Sequence, residues 1–96
     1  MRMMMTARLD TAMANQAVSD GTLPKIIEGV VEQLEPEAAY FMDREGDRSF
    51  LLVFDMKDAS EIPPTVEPLF HTGAKVSLQP VMNLDDLRTG LSAFGQ

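Results

Sequence analysis

Residues 1 to 9 alternate along the chain, with Met1, Met3, Met5, Ala7 and Leu9 on one side and Arg2, Met4, Thr6 and Arg8 on the other. A period of two with one wholly apolar side predicts a strand with one buried face. Residues 12 to 20 read as a connecting helical turn or short helix. "SDGTLPK" then breaks the chain: Gly21 permits a bend, Thr22 can cap, and Pro24 suits a first helical turn. From there Ile26, Ile27, Val30, Val31 and Leu34 recur at helical spacing with Lys25, Glu28, Glu32 and Gln33 opposite, and Pro36 ends the run. "AAYFMDREGDRSFLLVFDM" predicts a hairpin, two apolar runs joined by an Arg-Glu-Gly-Asp turn whose glycine tolerates positive φ.

Phe50, Leu51, Leu52, Val53 and Phe54 are apolar on both faces, which predicts that this third strand lies centrally. Ser60 can cap a short helix with Pro63 early in it and Ile62, Val66, Leu69 and Phe70 as its stripe. Pro68 must bend or shorten that helix, and Thr72-Gly73 closes it. A fourth strand sets Val76, Leu78, Pro80 and Met82 against Lys75, Ser77, Gln79 and Val81. Because Pro80 cannot donate to a ladder, this strand belongs at a sheet edge or ends in a bulge. "NLDDLRTGL" opens on a capping asparagine and places Leu84, Leu87 and Leu91 at helical spacing.

The order is β-α-β-β-α-β with a C-terminal helix, an α+β chain in the split-βαβ or ferredoxin-like arrangement. In that arrangement the first and third strands are central and both helices cover one sheet face, toward which Met1/Met3/Met5 and Phe50/Leu52/Phe54 point. The other face carries Met4, Thr6, Ala38, Tyr40, Met42, Leu51, Val53 and Val81. No element remains to cover it, and an apolar face of that extent exceeds what monomers leave in water. Pairing of two identical sheets into a homodimer is the expected solution; the alternative is that the tail helix folds across the face.

Composition narrows the partners. Ninety-six residues suit one domain, residues 1 to 96, and 45% hydrophobic content with 24% charged residues suits a folded globular chain. With 15 acidic against 8 basic residues, the net charge of −7 repels phosphate backbones, and no basic stripe offsets it. Nucleic acid is therefore not an expected partner. There is no cysteine, which fits a reducing cytosol and removes thiolate chemistry. "MRMMMTARLD" is broken by Arg8 and Asp10, too early for a secretory or membrane segment, so a cytoplasmic chain with no membrane partner is expected.

The element order over residues 1 to 83, with "PVMNLDDLRTGL" as an exit helix, resembles the dimeric α/β-barrel superfamily, in which two such sheets pair face to face. The stretches "DGTLPK", "PEAAYF", "EPLF" and "PVMN" are similar to those of a small, functionally uncharacterised bacterial group within it. The superfamily includes cofactor-independent monooxygenases, haem-degrading enzymes, lactone isomerases, polyketide cyclases and ligand-sensing domains, and fold alone does not choose among them. This chain has no tryptophan, a departure from the Asn/Trp/His-type site of the monooxygenases.

Candidate chemistry is sparse. His71, the only histidine, could serve with Tyr40 as a base, as the His/Tyr pairs of the polyketide cyclases do. The competing reading, preferred here, is that His71 ends a helix, where an imidazole meets the last carbonyls and the dipole. Haem ligation through His71 lacks the large apolar pocket it needs, and no cofactor is expected. Asp85-Asp86 and Glu35/Glu37 sit at helix ends as solvated carboxylates, so no metal is expected either. Arg44 and Arg48 flank the hairpin turn, and Asp43, Glu45 and Asp47 are expected to neutralise them. The Met-rich first strand reads as adaptable core and interface filler. Arg2, Thr6, Arg8, Ser77 and Gln79, with Tyr40 on the same face, would line or rim the barrel interior, where polar groups converging in an apolar cavity form a ligand site. Binding of a small apolar or aromatic molecule, or a structural assembly role, is the first expectation. An enzyme of the monooxygenase, isomerase or cyclase type is the alternative.

Overall fold

In the computed structural model, which describes residues 1 to 95, β1 (Arg2–Arg8) is followed by α1 (Thr11–Ser19) and α2 (Thr22–Leu34). The hairpin strands β2 (Ala38–Arg44) and β3 (Asp47–Asp55) come next, then α3 (Ile62–Phe70) after a 3-10 turn, β4 (Lys75–Pro80) and α4 (Leu84–Leu91). The strands form one antiparallel sheet in the order β2-β3-β1-β4. This α+β arrangement is compatible with a ferredoxin-like fold. β1 and β3 are central, and β4, with its proline, is at an edge. After Pro80 a single further bond, from the Val81 amide to the Arg2 carbonyl, extends the β4 ladder.

Alternation decides which side is core. Met3, Met5 and Ala7 of β1 and Phe50, Leu52 and Phe54 of β3 are buried, together with Ala14 of α1, Leu23 and Val30 of α2, and Val66 and Leu69 of α3. All three helices thus cover the same face of the sheet. Phe41 also points to that side, where its ring tilts against Phe50 at 5.9 Å between centroids and lines a groove with Ile27 and Val31 of α2, yet at the edge strand it stays exposed. The hairpin closes through Glu45 and Gly46, both at positive φ (52° and 85°), the pairing that lets a two-residue turn follow the twist of its strands.

Two capping expectations are corrected. Thr22 does not cap α2; the Asp20 carboxylate accepts from both the amide and the hydroxyl of Thr22. Ser60 does not cap the next helix either. Asp58 accepts from the Ser60 amide while Glu61 accepts from the Asp58 amide, a reciprocal capping box. In both cases an ionised aspartate two residues upstream is the stronger acceptor. At the other end of the chain, Asn83 caps α4 as expected, paired reciprocally with Asp86.

The tail helix does not fold across the sheet. No residue of α4 is buried, and Leu84, Leu87 and Leu91 remain 59%, 40% and 50% exposed. Its tie to the body is at its start, where Asp86 lies 3.8 Å from Arg2. The radius of gyration of 15.6 Å and extents of 56 × 28 × 18 Å compare with about 12 Å expected for a compact chain of this length, because the tail projects as an arm. Among the described residues no helix is long and apolar enough to cross a membrane.

Candidate ligand-binding face

The register assigns the helix-free face rung by rung. Ala38, Val53, Met4 and Gln79 form one rung across β2, β3, β1 and β4; Tyr40, Leu51, Thr6 and Ser77 form the next; Met42, Ser49, Arg8 and Lys75 form a third. The face is therefore divided along its width. Its β2-β3 half is apolar, with Met4 of β1 continuing it, and its β4 half is polar and cationic. Tyr40 is 65% exposed and Met42 is 38% exposed, while Met4, Leu51 and Val53 are half-buried by their neighbours alone.

A concavity of about 360 Å³ opens on the β1-β4 half, lined by Met4, Thr6, Arg8, Arg44, Lys75, Val76, Ser77 and Gln79. Arg8 is fixed by two carboxylates from the hairpin: its Nε donates to Asp47 Oδ2 at 2.8 Å and its Nη1 to Glu45 Oε2 at 2.8 Å. Asp47 also accepts from the Thr11 hydroxyl. That hydroxyl first, and then the Arg8 guanidinium, hold the Asp47 carboxyl below the usual carboxylate range. Hydrogen bonding to Asp47 raises the Arg8 pKa above its ordinary value. Among the described residues, Arg44 and Lys75 make no ion pair within 4.0 Å. The Thr6 and Ser77 hydroxyls and the Gln79 amide likewise face outward from the sheet.

Comparison with models of known protein families finds no match, and comparison with curated proteins finds none either.

Of the residues singled out in the sequence, Thr6, Arg8, Ser77 and Gln79 are brought together in the concavity. Arg2 shares their face but lies at its far end, bonded to Glu37 and near Asp86; the Glu37 bond raises its pKa. Tyr40 shares the face too, on the opposite edge strand, outside the concavity. Besides Met4 and Val76, two cations that the sequence does not single out for it, Lys75 and Arg44, line it as well. Lys75 was legible, since it falls on the same alternate positions as Ser77 and Gln79. The expectation that neighbouring carboxylates neutralise Arg44 is corrected: Glu45 and Asp47 bond Arg8 instead. Arg48 points to the helix side and donates to Asn15 Oδ1 at 3.0 Å.

His71 is the C-cap of α3. Its side chain is 79% exposed, with Nε2 3.5 Å from Glu67. It sits in the helix layer, while Tyr40 is on the helix-free face of the far edge strand. A single chain does not pair them.

Proposed function

We propose that this chain is a ferredoxin-like protomer of a homodimeric α/β barrel, and that the dimer is a binding module enclosing a small molecule between its two helix-free sheet faces. The observation that carries the reading is the helix-free face itself. Met4, Ala38, Leu51 and Val53 form a contiguous apolar patch there, flanked by Tyr40 and Met42, with no helix of the described residues above them. Covering such a surface with an identical one removes apolar area from water on both copies and needs no second gene product. The concavity beside it then becomes part of a closed chamber, which is where a ligand gains most from burial.

The projecting arm supports the same reading. An isolated helix of 8 residues is marginal in water and takes its stability from packing its apolar side. In the dimer Leu84, Leu87 and Leu91 pack on the partner copy. The reading places the ligand at the sheet face and gives His71 no part in it. Native mass spectrometry of the protein as purified tests it: a species of twice the 10.6 kDa chain mass, with or without the added mass of a small molecule, is expected. A chain that stays at its own mass at every micromolar concentration overturns the reading.

A further inference from the structure

We infer that the concavity on the β1-β4 half of the sheet is a site for an organic monoanion, a carboxylate whose apolar or aromatic body lies along Met4, Leu51 and Val53. The inference rests on the binding-module reading and names the ligand class for it.

The charge pattern comes first. The chain carries a net charge of −7 and only 8 basic residues, yet Arg8, Arg44 and Lys75 all line this one concavity. Arg8 and Lys75 are directly opposite each other in the ladder, and like charges at that position destabilise a sheet. The hairpin carboxylates Glu45 and Asp47 answer Arg8, which accounts for two of the three cations only by charge count. One positive charge is left over, shared by Arg44 and Lys75, neither of which has an ion-pair partner among the described residues. A single excess charge matches a carboxylate better than a doubly charged phosphate monoester.

The second element is the set of neutral groups. Thr6 and Ser77 are opposite each other one rung on, and Gln79 lies on the rung after that. Their hydroxyls and amide supply donors beside the cations, and among the described residues none of them bonds another side chain. Donors backed by positive charge, with a fork-shaped guanidinium among them, are the means by which a carboxylate is held and oriented. The third element is where the face goes next. Met4 lies on the rung of Gln79, and beyond it are Val53 and Ala38, with Leu51 beside Thr6. A ligand anchored by its carboxylate at Lys75 and Arg44 therefore lays its remaining atoms over apolar side chains. A volume of about 360 Å³ lies within the usual range for small-molecule sites.

Equilibrium dialysis with 2-naphthoate, its neutral isostere 2-naphthamide, and inorganic phosphate as competitor tests this, with sedimentation velocity run on the same samples. Naphthoate is expected to be retained about tenfold or more better than naphthamide, the worth of one charged hydrogen bond. Lys75→Gln and Arg44→Gln should each remove most of that preference without altering naphthamide. Glu45→Gln, which releases Arg8 from a competing carboxylate, should tighten naphthoate. Equal retention of the acid and the amide, an unchanged ratio in both cation variants, or no retention of naphthoate by a folded dimer overturns the inference. Displacement by phosphate at concentrations equal to naphthoate overturns the choice of a carboxylate. A monomer that still prefers the acid sinks the dimer and leaves the anion site standing; a dimer with no preference does the reverse.

Discussion

Val53→Asp separates the two faces of the sheet most sharply. Val53 lies on β3 between Ala38 and Met4, at the middle of the apolar rungs and half-buried by its own chain. In a monomer the new carboxylate reaches water, so the cost is lost packing and strand preference, about 1 kcal/mol or less. Between two paired faces it has no such escape. Its rung offers Ala38, Met4 and Gln79 and no cation, and Arg2, on the rung toward the strand end, is already engaged by Glu37. Burying an uncompensated polar group costs roughly 2 to 7 kcal/mol, and a two-fold interface incurs it on each copy. Even about 3 kcal/mol in total weakens association more than a hundredfold.

Sedimentation velocity across the micromolar range reads this directly. Melting supplies an independent check: a dimer that dissociates on unfolding has a midpoint that rises with protein concentration, and a monomer does not. Wild type should show that rise and Val53→Asp should lose it. Leu52→Ala is the companion variant, one residue along and on the opposite face. Leu52 is fully buried against Met5 and Ala39, so its truncation should cost about 2 to 5 kcal/mol of folding stability. Superimposable association curves for wild type and Val53→Asp, or a wild type that is monomeric throughout, would refute the reasoning.

Three further outcomes follow. Asn83→Ala removes the cap of α4, worth about 1 kcal/mol; since no α4 residue is buried in the chain, amide exchange in the arm should accelerate about fivefold in dilute protein while the urea midpoint of the body stays put. Asp47 has a folded pKa held below its ordinary value, so its stabilisation is complete above the unfolded value of about 3.9 and is lost as pH falls through the lower folded value; Asp47→Asn should flatten that acid limb in urea midpoints taken from neutral pH downward. His71→Gln should change neither sedimentation nor naphthoate retention, and a loss of either would return His71 to the functional site.

What the sequence made legible was whatever alternation alone controls. The side chains of residues 1 to 9 assign themselves to two faces by parity, and the doubly apolar run from Phe50 to Phe54 marks a strand with neighbours on both edges, as the order β2-β3-β1-β4 shows. Both misplaced caps have the same cause. "SDGT" and "KDAS" each hold an aspartate two residues before the hydroxyl expected to cap, and its carboxylate takes that residue's own amide, so Thr22 and Ser60 lie inside the first turn rather than before it.

The ion pairs were less legible for a different reason. Arg44 stands between Asp43 and Glu45, and Arg48 follows Asp47, so proximity along the chain suggests local pairing. In a strand, though, adjacent side chains point to opposite faces, so sequence neighbours are poor partners. The partner of Asp47 and Glu45 is Arg8, 39 and 37 positions away, reached only because β1 lies beside β3. The same pairing turns Asp47, opposite Arg44 in the ladder, toward Arg8, so that among the described residues Arg44 has no carboxylate within 4.0 Å on the face where Lys75 also stands. Parity thus put Lys75, Ser77 and Gln79 on one side from the sequence alone, but their association with Arg44 depends on tertiary register, which is also what turns scattered basic residues into a concave site.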